Sequence, residues 1–314
     1  MPWYFYAIAG PLLWAIVNQT DKYLVERFYS KKNNDKHTET KTQESPGSLV
    51  LFSSTFGVVV AIVISFFKPE VFSLGSSDVL LLLLAGFINI GWIICYLYAL
   101  QKDEVSTIAP LFLIQIVFAY GLGILAFDEI LGMGEIVAIF GVIIGAVLLS
   151  LDFRGNKIKL KTRILFLMLV ASMLEVISSV IFKYVAIDEN FWISQFWQYA
   201  GLGIAGILIF IFVKRYRHDF LLKLRSSGVP VFSLNMGSEV ITVLGNLSIN
   251  MALLLAPVAI VYTFVSFQAM YVFILSIILT KLKISGLEED VTKKAILPKI
   301  VAIIIMIIAS SFLF

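Results

Sequence analysis

Residues 79–127 read VLLLLLAGFINIGWIICYLYALQKDEVSTIAPLFLIQIVFAYGLGILAF, and this stretch decides the fold. It holds two long apolar segments, 79–100 and 106–127, joined by a short polar connection at Gln101–Glu104. Each segment has about the 20 residues that an α-helix needs to cross roughly 30 Å of hydrocarbon. Membrane strands would alternate in polarity, and these segments do not. We therefore predict two membrane-spanning helices with a tight connection.

Similar segments continue in both directions along the chain, and the composition agrees with them. The 314 residues are 60% hydrophobic and 14% charged, whereas a soluble domain is about 45–50% apolar and about 25% charged. A soluble core could not hide that much apolar surface, so lipid must cover part of it. We predict an all-α polytopic membrane protein with ten spans, near 3–24, 48–67, 79–100, 106–127, 134–151, 163–185, 192–213, 229–254, 257–280 and 296–314.

The basic residues indicate how these spans are oriented. Of the 24 Lys and Arg residues, 21 lie in the loops that follow spans 1, 3, 5, 7 and 9. One other, Lys68, lies in an even-numbered loop, and Lys22 and Lys183 lie within spans. Because cytoplasmic loops are enriched in Lys and Arg, we predict that the odd-numbered loops are cytoplasmic and that both termini lie outside. The expected location is a bacterial inner (plasma) membrane, and the polar segment 29–47 is expected to be a disordered loop.

The second half of the sequence repeats features of the first. An offset of 153 superposes Gln115 on Gln268, and an offset of 161 superposes Lys22 on Lys183. Equivalent loops carry opposite amounts of basic charge, as an inverted duplication requires. We predict two inverted five-helix repeats, residues 1–151 and 163–314, which is the plan of many secondary transporters.

The segment Tyr96–Glu129 and Trp14 in span 1 resemble the drug/metabolite transporter superfamily, EamA type. That family has a similar tyrosine-alanine segment, followed by a proline-bearing helix that ends in a glutamate. The resemblance covers nearly the whole chain and implies a ten-helix transporter of small molecules. Members are usually drawn with both termini in the cytoplasm, whereas the basic loops of this chain predict both outside.

Span 6 carries a second resemblance. Residues 175–184 read EVISSVIFKY, which is similar to the first helix of the small multidrug resistance family. There a mid-membrane glutamate binds protons and substrate in competition, and a lysine follows eight residues later. The resemblance gives these two positions to Glu175 and Lys183. In span 1, Trp14 stands where the glutamate would be, and Lys22 keeps the lysine position.

Two glutamates near mid-depth are the predicted proton-coupling residues, Glu175 and Glu239. A charge at the bilayer centre costs on the order of 2.5–3.5 kcal/mol on insertion scales, so each needs a partner, water or a proton. Glu239 belongs to a polar stripe with helical spacing: Asn235, Glu239, Thr242, Asn246 and Asn250. This stripe faces either an aqueous cavity or other helices. In the second case its side chains would form hydrogen bonds to the neighbouring helices.

Aromatic and amide side chains on other spans complete the predicted binding site. Trp14 and Asn18 share a face of span 1 with Asp21, and the face of span 3 offers Asn89, Trp92 and Tyr96. Such a mixture suits an organic solute with an apolar body and polar ends, although ordinary packing would also use the aromatic rings. The full set of predicted substrate-binding residues is Trp14, Asn18, Asn89, Trp92, Tyr96, Gln115, Glu239, Asn246, Asn250 and Gln268.

Other charged residues near helix ends receive simpler interpretations. Lys22 and Lys183 are expected to extend towards the interface, and Asp128 and Glu129 are expected to be solvated. The two histidines, His37 and His218, lie in polar loops, and Cys95 is the single cysteine. We therefore expect no catalytic site, metal site or cofactor.

These observations favour a secondary transporter that exports a small organic metabolite or drug-like solute by alternating access, with protons as a candidate coupling ion. The sequence has no GxxxxGK[ST] motif, so the driving force would be a gradient or an external partner. The alternatives are a lipid-linked substrate flippase or flippase subunit, and less so an intramembrane enzyme. Expected partners are the solute, protons and membrane lipid, with no nucleic acid.

Overall fold

The structure is a computed structural model that describes residues 2–24, 47–101, 108–150, 162–226, 228–282 and 293–313. Within these ranges the chain is helical and contains no strand. The predicted all-α fold is therefore confirmed. Of the predicted polar loop 29–47, all but Gly47 lies outside the described residues.

The helices begin and end close to the predicted span limits. Numbered by span, they are α1 Trp3–Leu24, α2 Gly47–Phe67, α3 Ser76–Leu100, α4 Ile114–Phe127, α5 Met133–Ser150, α6 Thr162–Ala186, α7 Phe191–Phe212, α8 Val229–Leu255, α9a Val258–Val265, α9b Gln268–Lys281 and α10 Lys293–Ser310. Short 3₁₀ helices cover Pro69–Ser73, Ala109–Leu113 and Ser311–Leu313.

Among the described residues, seven helices are long and apolar enough to cross a membrane. They are α2, α3, α6, α7, α8, α10 and the combined segment Val258–Lys281. Leu111–Phe127 and Met133–Leu148 are apolar but shorter. Helix α1 has 22 residues, but its second half carries a run of polar side chains from Asn18 to Lys22. The chain is thus an integral multi-pass membrane protein, and the count of ten spans stays a prediction.

One helix lies where the sequence indicated a polar break. Residues Lys214–Ser226 form a 13-residue helix, which we call the surface helix. Its Tyr216 is buried against Gly47 at the start of α2, and the Tyr216 hydroxyl bonds that of Tyr98 at 3.1 Å. Arg217 Nη1 donates to the Ile211 carbonyl at 3.3 Å and so caps the end of α7. The sequence did not indicate this helix, because many basic residues surround the apolar residues that pack against α2.

The main helix contacts join the first half of the chain to the second. Helix α1 packs on α8, α3 on α6, α2 on α7 and α5 on α10. Small residues permit these approaches, as is usual in membranes: a Cβ on Gly10 would lie 2.5 Å from Ile249, and one on Gly141 would lie 2.5 Å from Ala309. The division into two inverted repeats stays a prediction.

Helices α3 and α7 also pack directly on each other. A Cβ on Gly86 would lie 2.2 Å from the Gln198 carbonyl oxygen, and one on Gly201 would lie 2.4 Å from that of Leu83. By contrast, α2 and α8 have little backbone contact. They meet through side chains, in an edge-to-face contact of Phe52 with Phe232 and a hydrogen bond between Ser53 and Glu239. On the flank formed by α3 and α7 the helices therefore pack backbone against backbone, whereas on the flank formed by α2 and α8 they meet through side chains.

Candidate functional site

A cavity of about 110 Å³ lies between α1, α2, α3, α6 and α8, with further walls from α4, α7 and α9. A cavity needs about 10–15 Å³ to hold one water molecule. This cavity, which we call the central cavity, therefore has room for several waters or a small organic solute. Its polar and aromatic lining residues include Trp14, Asn18, Asp21, Ser53, Phe56, Asn89, Trp92, Tyr96, Phe112, Gln115, Glu175, Tyr199, Asn235, Ser238, Glu239, Thr242, Asn246 and Gln268.

The structure brings nearly all of the predicted site residues together around this cavity. Nine of the ten predicted substrate-binding residues line it, as does the predicted proton site Glu175; the nine are Trp14, Asn18, Asn89, Trp92, Tyr96, Gln115, Glu239, Asn246 and Gln268. The tenth, Asn250, lines an adjoining pocket. Their roles in binding and proton coupling stay predictions.

Close packing of α1 on α8 sets one wall of the cavity. The Trp14 indole Nε1 donates to the side-chain oxygen of Asn246 at 3.0 Å. Gly245 makes room for this ring, because a Cβ there would lie 2.7 Å from Trp14 Nε1. The bond holds the amide of the α8 stripe against α1 and fixes the ring in the wall.

A second wall is built around Tyr96 on α3. Its hydroxyl donates to the Asn18 side-chain oxygen at 3.1 Å, and its ring stacks on Trp92 with centroids 5.5 Å apart. Phe112 lies against the same ring, at 5.8 Å. The remaining polar atoms, Asn18 Nδ2 and Trp92 Nε1, are buried and have no hydrogen-bond partner among the described residues. This wall is therefore built on a stacked aromatic pair.

Three carboxyl groups line the central cavity. Glu175 accepts from Asn89 Nδ2 at 3.4 Å, and Glu239 accepts from the Ser53 hydroxyl. Asp21 on α1 lines the same cavity. Among the described lining residues no side chain is basic. The cavity is thus acidic.

A second, smaller pocket of about 30 Å³ adjoins the central cavity beside Glu175. Asn250 Nδ2 donates to Gln198 Oε1 at 3.1 Å, and Gln198 Nε2 donates to the Ser178 hydroxyl at 3.3 Å. Ser178 in turn donates to the Ala85 carbonyl at 2.9 Å. Asn250 is therefore part of a buried hydrogen-bond chain that ties α8, α7, α6 and α3 together.

Gln115 and Gln268 each follow an irregularity in their helix. Gln115 lies just beyond the 3₁₀ turn Ala109–Leu113, and Gln268 begins α9b after the break that separates it from α9a. Irregular backbone at membrane depth is tolerated where protein or a wet cavity covers it. Both side chains are buried and reach the cavity wall.

The expectations for Lys183 and Glu129 were wrong. The Lys183 Nζ lies 2.6 Å from Glu129 Oε1 and 2.9 Å from the Ala256 carbonyl oxygen, and the two side chains are 7% and 13% exposed. Glu129 also accepts from the Val258 backbone N–H at 2.7 Å. The lysine thus forms a buried ion pair that joins the end of α4 to α6 and to the α8–α9 connection, instead of extending to the interface.

Several lining residues were missing from the predicted site. Asp21 had a sequence signal, because it follows Trp14 and Asn18 on one helical face. Ser53 and Ser238 gave none, since a serine hydroxyl in a membrane helix can equally bond its own backbone. Tyr199 gave none either, since an aromatic ring in a membrane helix can equally serve ordinary packing. In the described ranges, no three His, Cys, Asp or Glu side chains come close enough to hold a metal ion.

Comparison with known proteins gives a family match and a similar fold. The model of the EamA-like transporter family matches residues 39–151. No curated protein matches the sequence. A solved structure described only as the crystal structure of a protein superposes with a TM-score of 0.67 over 98% of this chain and 94% of the other, at 11% identity. That likeness shows a shared fold and no more.

The family match includes the whole of the Tyr96–Glu129 segment, and it confirms the resemblance drawn from that segment. The resemblance of span 6 to the small multidrug resistance family stays a prediction. Residues 39–151 of this multi-pass membrane protein are thus similar to the EamA-like transporter family.

Proposed function

We propose that the protein is a secondary active transporter that exports a small organic solute by alternating access, with Glu175 as the proton-coupling residue. The family similarity supports a membrane transporter. The observation that carries the finer proposal is the acidic, aromatic central cavity, which is lined by residues from both halves of the chain. A site shared in this way changes its exposure when one half moves against the other.

The walls of the cavity support access from the cytoplasmic side. Its lining extends to Leu49, near the amino end of α2, and to Asn235 in the first turns of α8. These ends adjoin the loops that the positive-inside rule assigns to the cytoplasm. Packing of α3 on α7 covers the opposite flank. We infer that this conformation takes up solute from the cytoplasm, as an exporter must before release.

Glu175 is suited to carry the coupling proton. It lies in the middle of α6, between the central cavity and the second pocket, and lines both. The partner that it has in the structure is an amide at 3.4 Å, with no cation beside it among the described lining residues. A carboxyl group in this setting can be neutralised by a proton, and proton release towards one side can drive solute towards the other.

Two polar side chains of the cavity, Glu175 and Trp14, lie near mid-helix, which favours a solute over a lipid head group held near one leaflet. Glu175 is central in Thr162–Ala186, and Trp14 is central in Trp3–Leu24. The flippase alternative would require a head-group pocket near one end of the spans. We therefore place solute export first.

Purified protein in proteoliposomes tests the proposal. A panel of amino acids, nucleosides, sugars and organic cations is assayed with and without a pH gradient, for the parent and for Glu175→Gln. We expect the parent to accumulate at least one solute in response to the gradient. Glu175→Gln should lose gradient-driven accumulation while still exchanging solute down its own gradient.

Glu70→Gln is the matched control, since it removes an exposed carboxyl group far from the cavity. It should behave as the parent does. If Glu175→Gln transports with unchanged pH dependence, the proton assignment is wrong. If no solute in the panel moves, the transporter proposal itself fails.

A further inference from the structure

We propose that the surface helix is a binding site for an anionic phospholipid of the membrane leaflet at its end of the helix bundle. In this proposal its basic side chains hold the phosphate of the lipid head group, and its exposed leucines pack on the acyl chains. The inference goes beyond the proposed transport and does not depend on it, since lipid and solute bind at different places.

The surface helix lies across one end of the bundle. It follows α7 after a break at Val213, whose φ of −99° and ψ of 86° are not helical, and it precedes α8, which begins at Val229. Its Tyr216 is buried against Gly47 at the start of α2 and bonds the hydroxyl of Tyr98, near the end of α3, at 3.1 Å. The ends of four spans thus meet at this helix. A helix in that position lies beside the lipid head groups.

The surface helix is strongly positive. Its 13 residues include five Lys or Arg side chains and a single acid, Asp219. Lys214, Arg215 and Arg225 are exposed. Clusters of about four to eight basic residues on an amphipathic helix at a membrane surface attract anionic lipids. The charge of this helix therefore favours an anionic head group over a zwitterionic one.

Exposed leucines are a second and independent observation. Leu221, Leu222 and Leu224 are 39%, 52% and 51% exposed. Lys214, Leu221 and Arg225 follow one another at intervals of seven and four residues, which places a leucine between two basic residues on one helical face. A loop that only fixes topology needs the charges and not the leucines. Leucines interleaved with cations fit a helix that inserts its apolar side chains at the level of the acyl chains while its cations reach the phosphates.

A small groove extends this surface towards the α2–α8 flank. Its volume is about 20 Å³, and residues of α2, the surface helix and α8 line it: Ser48, Phe52, Phe220, Lys223, Leu224, Val231 and Phe232. Among these lining residues Lys223 alone is charged, and all but one of the others are apolar. An apolar groove with one cation matches the part of a phospholipid where the acyl chains join the head group.

Native mass spectrometry of the purified full chain in detergent measures how tightly individual lipids bind. The protein is titrated with phosphatidylglycerol or with phosphatidylcholine of the same acyl chains, so that the two lipids differ only in their head groups. Each basic residue at an anionic surface is worth about fivefold in affinity. We therefore expect the first phosphatidylglycerol to bind about tenfold or more tightly than the first phosphatidylcholine.

Three variants assign the parts of the site. Lys214→Gln/Arg225→Gln should weaken phosphatidylglycerol about tenfold or more and leave phosphatidylcholine unchanged. Leu221→Ser should weaken both lipids, because both carry acyl chains. The matched control Arg163→Gln/Lys281→Gln removes two exposed charges at the start of α6 and the end of α9b, on the same predicted side of the membrane, and should bind both lipids as the parent does. All five side chains are exposed, so each variant should melt together with the parent.

The inference is overturned if the two lipids bind equally. It is also overturned if both double variants weaken phosphatidylglycerol by the same factor, since the basic residues would then act only through the net charge of that side. Displacement of phosphatidylglycerol by an equal concentration of glycerol 3-phosphate, which has the phosphate and no acyl chains, would overturn it as well, because the ligand would be a soluble anion. None of these outcomes bears on solute transport, so the proposed function stands or falls on the proteoliposome assay.

Discussion

Replacing Gly86 by alanine tests whether α3 and α7 are held together by their backbones. In the structure a Cβ at Gly86 would lie 2.2 Å from the Gln198 carbonyl oxygen and 2.4 Å from the Leu202 amide nitrogen. Both are main-chain atoms of α7, so no side chain can rotate away. Ordinary contact begins near 3.4 Å, and the two helices must therefore separate by about 1 Å.

The expected cost follows from that displacement. Overpacking of a close contact costs about 1–3 kcal/mol, offset by up to about 1 kcal/mol because alanine favours a helix over glycine. The Gly86→Ala protein should therefore lose about 1–2 kcal/mol of stability. At about 2–4 °C for each kcal/mol, its apparent melting temperature in detergent should fall by several degrees.

Gly237→Ala in α8 and Gly121→Ala in α4 are matched controls, because a Cβ at either glycine meets nothing within 4 Å. Both proteins should melt at or above the temperature of the parent. Thermal unfolding followed by tryptophan fluorescence gives the comparison. If Gly86→Ala melts together with the two controls, the close contact of α3 with α7 is wrong, and with it the closed flank on which the direction of access depends.

Four further outcomes are expected. Glu129→Gln should destabilise the protein by about 3–5 kcal/mol, because it leaves the buried Lys183 without its counter-ion. Adding Lys183→Met should restore part of the lost stability. If the two substitutions lower the thermal stability additively, the ion pair is wrong. Asn250→Leu should lower the melting temperature, because it leaves the Gln198 oxygen buried and unpaired, whereas a parent-like melt would place that amide in solvent. On a Cys95→Ser background, single cysteines at Lys36 and Lys223 should react with a membrane-impermeant maleimide from the same side and one at Asp188 from the other; any other pattern refutes the predicted topology. Gly245→Ala should displace the Trp14 ring and shift its fluorescence, and an unchanged spectrum of a Trp14-only variant would refute that contact.

The helices could be predicted well because each depends on local composition. An apolar run such as 79–100 has one stable state in lipid, and α3 covers it as Ser76–Leu100. The surface helix could not be predicted, because its stability does not come from local composition. Tyr216 and Phe220 carry its apolar face, but basic residues surround them, so its stability comes from packing against α2 that no local window shows.

In the candidate site, too, the features that depend on local sequence could be predicted, whereas the contacts between distant residues could not. The stripe from Asn235 to Asn250 could be predicted to face inwards, because a polar row in lipid has no other stable position. Its partners could not, since the bonds from Trp14 to Asn246 and from Ser53 to Glu239 join residues far apart in sequence. The ion pair of Lys183 with Glu129 is the clearest case. Each residue alone resembles an interfacial charge, and only the contact between α4 and α6 makes them a buried pair.

The α3–α7 flank and the α2–α8 flank differ at one pair of equivalent positions in the sequence. With the offset of 153 that superposes Gln115 on Gln268, Gly86 in α3 corresponds to Glu239 in α8. The glycine lets α3 lie directly on α7. The glutamate puts a carboxyl group at the equivalent place on α8, and a buried carboxyl group requires a donor or a cation. Closure of that flank would confine Glu239 still further. Closure therefore becomes favourable when a proton neutralises the acid or when a hydrogen-bond donor of the bound solute contacts it. If the two halves are repeats, the difference between Gly86 and Glu239 would make closure of the α3–α7 flank independent of the solute. Closure of the α2–α8 flank would depend on the solute, as coupled export requires.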